Sequence, residues 1–126
     1  MNEKEKTVLL SVPNISGNEL KYVKECLETG WISSAGSYVD KFEQMVADYA
    51  GAKYGIATMN GTAALHIALL LAGVKPKDYV IVSNMTFVAS ANSIKYTGAD
   101  PILIDADPKT WQMDLDLLDE FLDNKT

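Results

Sequence analysis

IATMNGTAALHIALLLAG, residues 56–73, joins two apolar runs through a bare polar break at Asn60-Gly61-Thr62. Residues 54–59 read as a strand, and residues 62–72 have the length and content of a helix. A strand that turns through glycine into a helix is half of a βαβ unit, so this stretch sets the expected fold class as α/β. The helix is apolar nearly all round, at Ala64, Leu65, Ile67, Ala68, Leu69, Leu70 and Leu71, which predicts burial on most sides.

The same alternation continues downstream. Residues 79–83 and 101–105 read as strands, and residues 87–96 and 115–122 as helices. Strands alternating with helices imply parallel strands with crossover helices, three strands in all. Upstream lie two amphipathic helices. The first starts at Ser16, with Glu19 closing a capping box and Ile15 and Leu20 forming a hydrophobic staple, and it ends at Gly30. The second carries Val39, Phe42, Val46 and Tyr49 on one face and stops near Gly51. The expected organisation is an arm over residues 1–13, two leading helices over 14–52 and a βαβαβα unit over 53–126. A helix followed at once by Asn124-Lys125-Thr126, with no closing strand, suggests a chain that stops inside a larger domain.

Composition narrows the partners. The chain has 126 residues, 48% of them hydrophobic, which suffices for one domain with a core. A net charge of −6 argues against nucleic acid and anionic membrane surfaces as partners. All 11 basic residues are lysine, so no guanidinium fork is available for phosphate or carboxylate. Any anion must rest on backbone N–H groups, hydroxyls, lysine or a helix end. Cys26 is alone, which excludes an internal disulfide and a cysteine metal cluster. The opening MNEKEKTVLLSVP has too short an apolar patch for a signal peptide, and no segment is long enough to span a bilayer; a cytoplasmic protein is expected.

The break at Asn60-Gly61-Thr62 has two readings. First-turn N–H groups carry partial positive charge, and a glycine turn lets a phosphate approach them closely. Gly61 would admit the anion, Thr62 would add a hydroxyl and Ala63 another N–H. The plainer alternative is a tight turn with Thr62 as N-cap. A second strand end points to the same chemistry. Phe87 follows the strand at 79–83, and ligands on open α/β sheets sit at the carboxyl ends of strands. Its ring can stack on a flat heterocycle or pack in the core. The two strand ends together suit a phosphorylated aromatic cofactor. Absence of G-x-G-x-x-G disfavours a nicotinamide-binding unit.

Five ordered blocks carry a resemblance: ISGNELKYVKECLETGWISSAG, FEQMVADYAG, NGTAALHIALLLAGV, TFVASANSIKYTGADPILIDAD and TWQMD. They resemble the N-terminal part of the DegT/DnrJ/EryC1/StrS nucleotide-sugar aminotransferases, over residues 13–126. GWISS and NGTAALH are similar to the wording of GDP-perosamine synthases and of legionaminic acid and bacillosamine pathway aminotransferases. The resemblance implies the N-terminal portion of the large domain of the aspartate-aminotransferase-like (type I) fold, with pyridoxal 5'-phosphate (PLP) as cofactor. It implies that Gly61, Thr62 and Ala63 hold the cofactor phosphate and that Phe87 stacks on its ring. Gly30, Trp31, Ser33 and Ser34 match the loop where the sugar nucleotide approaches. Ser83 stands where the family often has proline, which loosens the turn before Phe87. Asp105 and Asp107 match a D-x-D at a strand end, with strand-end capping favoured over a catalytic pair.

The family's Schiff-base lysine and the aspartate paired with the pyridinium nitrogen fall beyond Thr126, so the resemblance places no catalytic residue in this chain and implies no turnover by it alone. It also implies a nucleotide sugar and an amino-acid donor as substrates, and a homodimer with its active site at the subunit interface. A dehydratase of the same family and a non-catalytic binding or assembly module are the alternatives. In the implied sheet, strands 79–83 and 101–105 pair in parallel, while 54–59 lies at the far edge beside strands that come later in the family. The chain by itself is then expected to rearrange into three strands, to pair its exposed edges with another copy, or to be found beside the rest of its enzyme.

Overall fold

The computed structural model describes residues 9 and 11–124. The chain divides into two compact units, Met1–Ala57 and Thr58–Thr126. Most of the expected arm over 1–13 lies outside the described residues, as do Lys125 and Thr126.

The first unit holds two helices, α1 (Glu19–Thr29) and α2 (Ser37–Ala50). Both end as expected, at Gly30 (φ 74°) and Gly51 (φ 65°), in the left-handed conformation that suits glycine. The start of α1 differs from the capping-box expectation. Asn18, not Ser16, is the N-cap residue, and Glu19 Oε2 accepts the Gly17 N–H at 2.8 Å. A glutamate in the first turn reaches the nearest free donor, and here that donor lies two residues back. The helices are joined by polar and aromatic contacts. The Tyr38 phenol donates to Glu25 Oε2 at 2.7 Å, and the Tyr22 and Tyr38 ring centroids lie 5.2 Å apart. Ala47 is buried on α2. Beyond α2, Glu43 Oε1 accepts the Ala57 N–H at 2.7 Å, and a β-carbon on Gly55 would overlap the Glu43 backbone carbonyl. Residues 54–57 are thus laid on α2 by a side chain and by the absence of one.

The second unit contains α3 (Gly61–Leu71), β1 (Tyr79–Ser83), α4 (Ala89–Tyr96), β2 (Asp100–Ile104) and α5 (Leu115–Asp123). β1 and β2 form a parallel pair in register from Tyr79↔Asp100 to Ser83↔Ile104. α4 connects them and packs on both, and α3 packs on α4. Ile94, Ala99 and Ile104 form the buried centre, with Ser93 and Thr97 satisfied by the Ser90 and Ile94 carbonyls. Entry to both strands is fixed at one point. Lys77 N–H donates to the Gly98 carbonyl at 2.9 Å, and Gly98 (φ 83°) lies so close to Pro76 that an added β-carbon would meet it at 3.0 Å.

Two expectations fail here. The sheet has two strands rather than three: residues 54–59 form no ladder with any described strand. An apolar run becomes a strand only when another backbone supplies its hydrogen bonds, and none is supplied here. Among the described residues no rearranged three-stranded sheet takes its place. The all-round apolar α3 is not buried either. Leu65, Ile67 and Leu70 are about half exposed and Leu71 is 84% exposed. Its neighbour among the described elements is α4, which covers one side alone.

Candidate functional site

The break at Asn60-Gly61-Thr62 is the N-terminus of α3, in the second unit. Asn60 is extended (φ −167°, ψ 170°) and is the N-cap: its Oδ1 accepts the Ala63 N–H at 2.9 Å. Its carbonyl accepts the Ala64 N–H at 3.1 Å and the Thr58 hydroxyl at 3.0 Å. The capping role expected as the plainer reading of Thr62 therefore falls to Asn60, a stronger N-cap residue than threonine. This leaves the N–H groups of Gly61 and Thr62, and the Thr62 hydroxyl, without a partner among the described residues. Ala63, expected to lend its N–H to an anion, has already committed it.

Gly61 is not demanded by the local packing. Nothing lies within 4 Å of the place its β-carbon would take, and its backbone is not among the positive-φ glycines. Its missing side chain instead keeps the approach to the Gly61 and Thr62 N–H groups open. No acidic or basic residue stands in the first turn of α3. The electrostatics of this end therefore come from the unpaired donors and the helix dipole. Such an end fits a phosphate-sized anion.

Phe87 lies in the turn between β1 and α4, two residues before the helix begins, rather than inside it. It is 78% exposed. Its carbonyl accepts the Ser90 N–H at 3.0 Å, and Thr86 and Ser90 share a hydrogen bond between hydroxyls at 3.1 Å, so the turn that carries the ring is tied to α4. The Ser83 hydroxyl donates to the Met85 carbonyl at 3.5 Å, a long and weak tie in the same turn. α3 and α4 are further joined by an edge-on contact of His66 and Tyr96 at 5.8 Å.

Asp105 and Asp107 close the loop after β2. Asp105 Oδ1 accepts the Ala106 N–H at 2.8 Å, and its carbonyl accepts the Asp114 N–H at 2.9 Å. Asp107 Oδ1 accepts the N–H groups of Lys109 (2.9 Å) and Thr110 (2.7 Å). Donation from the Thr110 and Lys109 backbone lowers the Asp107 pKa below the usual carboxylate range. Both aspartates hold backbone, as capping residues do. Asp114 caps α5 through the Asp116 and Leu117 N–H groups.

Trp31, Ser33 and Ser34 belong to the first unit, in the connection between α1 and α2. Trp31 is 59% exposed, and its ring lies against Gly36. Ser33 and Ser34 are exposed, with no side-chain hydrogen bond among the described residues. No cluster of metal-ligating side chains occurs among the described residues, and no described helix is long and apolar enough to cross a membrane. Sequence reasoning missed Asn60 as a site residue. Its signal was present, since asparagine directly before Gly-Thr and an apolar helix is a strong N-cap position.

Comparison with known proteins identifies the family. The model of the DegT/DnrJ/EryC1/StrS aminotransferase family matches residues 13–126. GDP-perosamine synthase of Caulobacter vibrioides is 46% identical over 119 residues, covering 94% of this chain and 32% of that protein. GDP-perosamine synthase of Escherichia coli O157:H7 is 47% identical over 114 residues, covering 90% and 31%. The Streptococcus pneumoniae protein Spr1654, solved in its PLP-form, superposes with a TM-score of 0.81 at 33% identity, over 91% of this chain and 29% of its own. The chain thus spans about a third of the length of the curated relatives it matches.

Proposed function

Since this chain belongs to the DegT/DnrJ/EryC1/StrS aminotransferase family, we propose that it is the cofactor-phosphate end of a PLP-dependent enzyme. That enzyme transfers an amino group, with glutamate as donor, to a 4-keto-6-deoxy nucleotide sugar for surface polysaccharide synthesis. The observation that carries the reading is the uncommitted N-terminus of α3: two N–H groups and a hydroxyl without a partner among the described residues, beside a glycine that packing does not require. PLP, when bound, supplies the electron-withdrawing ring on which transamination depends.

This chain's own share of the work is binding and orientation. The Gly61 and Thr62 N–H groups and the Thr62 hydroxyl hold the phosphate, while Asn60 keeps the first turn wound by taking the Ala63 N–H. Phe87 offers its exposed face to the pyridine ring. Trp31, Ser33 and Ser34 form the loop that meets the nucleotide sugar. The working enzyme is a homodimer, and the groups that move protons come from outside these 126 residues.

The test is made on the complete protein containing these residues. It is incubated with PLP, glutamate and a 4-keto-6-deoxy nucleotide sugar, and the products are read by mass spectrometry. An amino sugar nucleotide, formed with matching consumption of glutamate, is expected. Cofactor binding followed by dehydration of the sugar, without nitrogen transfer, would overturn the reaction while leaving the binding site intact.

A further inference from the structure

Asn60 is followed by Gly61, and every other asparagine in the sequence precedes a residue that carries a β-carbon. Three features at the start of α3 bear on that pair. The Gly61 N–H has no intrahelical partner, because the first turn of any helix leaves its N–H groups free, and no described residue takes it. Gly61 has no β-carbon to hinder its nitrogen, and nothing lies within 4 Å of the place one would take. The Asn60 carboxamide is held at its oxygen alone. Oδ1 accepts the Ala63 N–H at 2.9 Å, which draws electrons from Cγ, while Nδ2 has no partner among the described residues. A nucleophile, a carbonyl polarised by a backbone N–H and a free leaving group are thus set within residues 60–63.

We propose that Asn60 is a site of spontaneous deamidation, and that the reaction closes the start of α3 to anions. The Gly61 nitrogen gives its proton to solvent and bonds to Asn60 Cγ. The Cγ–Nδ2 bond breaks, and ammonia leaves with a proton from solvent. The five-membered imide then takes up water. Opening at the Cγ–N bond leaves aspartate at residue 60; opening at the main-chain carbonyl leaves isoaspartate, with the chain running through Cγ. The sum is one water consumed and one ammonia released. Asn60 stands before the helix (φ −167°, ψ 170°), so closing the ring gives up the cap bond and no backbone bond of α3. Either product puts a carboxylate where the first turn of α3 has no acidic side chain. That charge stands beside the Gly61 and Thr62 donors and repels an anion approaching them. The link to the cofactor rests on the phosphate reading above: a phosphate on the Gly61 N–H occupies the nucleophile, so bound PLP shields Asn60. Protein that stands without cofactor thereby loses its capacity to take it up.

The test is made on the complete protein containing these residues, prepared without cofactor and with PLP. Both samples are aged in mildly alkaline buffer and digested with trypsin beside an unaged blank. Residues 54–77, released by cuts after Lys53 and Lys77, contain no asparagine besides Asn60 and no glutamine, so the mass gained when NH2 is exchanged for OH locates the reaction. Aspartate and isoaspartate forms should accumulate in the cofactor-free protein, and several-fold more slowly in Gly61→Ala, whose β-carbon hinders ring closure. The aged protein, separated by anion exchange, should bind PLP more weakly than fresh protein in absorbance titration. Cofactor-free protein whose residues 54–77 keep their mass, through an ageing that converts a synthetic peptide of the same residues, overturns the proposal. So does an equal gain in Gly61→Ala or, where PLP slows the gain, undiminished affinity in the aged protein. An equal gain with PLP seated, as its absorbance reports, sustains the deamidation and overturns the phosphate reading instead.

Discussion

Asn60 takes the N–H of Ala63 into its own side chain, at 2.9 Å, and so settles which donors at the start of α3 remain for a ligand. Asn60→Asp should keep the cap, since aspartate is an equally good N-cap residue. It also puts a negative charge beside any incoming phosphate. The expected result is an unchanged melting temperature with weaker binding of PLP, read by absorbance titration of the complete protein. Equal affinity in the two proteins would show that the phosphate sits elsewhere.

Thr62→Val tests the hydroxyl. If it donates one ordinary hydrogen bond to the phosphate, its loss weakens cofactor affinity by about 1–1.5 kcal/mol, close to tenfold. Fold stability should change little, since the Thr62 hydroxyl has no partner among the described residues. A folded variant with wild-type affinity would remove Thr62 from the site.

Phe87→Leu separates stacking from packing. At 78% exposure the ring contributes little to the core. The variant should therefore melt close to wild type, while the absorbance and affinity of bound PLP change. A large fall in melting temperature with the cofactor spectrum intact would assign Phe87 to packing in the complete protein.

The link between α1 and α2 is sensitive to alkali. The hydrogen bond from the Tyr38 phenol to Glu25 pushes the Tyr38 pKa up to about 12. A pKa raised by folding contributes stability that is fully present below the unfolded value, about 10 for a tyrosine. That contribution is lost as pH rises through about 12. Phenolate absorbance should show one tyrosine titrating late, and Tyr38→Phe should abolish that step. Asp107 behaves in the opposite sense. Its lowered pKa makes its contribution present above the usual carboxylate value and lost as pH falls through the lowered one. Carboxyl chemical shifts should place it below exposed aspartates.

Gly55→Ala should destabilise the first unit by about 1–3 kcal/mol, because the new methyl meets the Glu43 backbone rather than a movable side chain. Gly61→Ala has open space and should leave stability nearly unchanged while narrowing the approach to the α3 donors. Chemical denaturation of both variants measures the contrast.

Much of this fold is written locally. β1 spans the expected residues 79–83, and α5 begins at Leu115, where Asp114 caps a strongly amphipathic run. Gly30 and Gly51 stop their helices because the chain needs a left-handed residue there. What was not legible depends on partners far along the chain or absent from it. Residues 54–59 have a strand's composition but no ladder, and α3 has a buried helix's composition but half-exposed leucines. At the candidate site, the start of α3 at the Asn60-Gly61-Thr62 break was legible from the apolar run that follows it. The division of labour between Asn60 and Thr62 was not, because either residue can cap and only the backbone geometry decides which does.

The contact of Gly98 with Pro76 also bears on how the gene can vary. Any single-base change in a glycine codon that alters the residue introduces a β-carbon, whichever amino acid results. At Gly98 every such change meets a left-handed backbone and the Pro76 ring together. Clearing the Pro76 ring would not by itself make such a change mild, because the left-handed backbone strains any side chain whatever the space around it. Glycine at residue 98 is therefore required twice over, by its own backbone and by its neighbour.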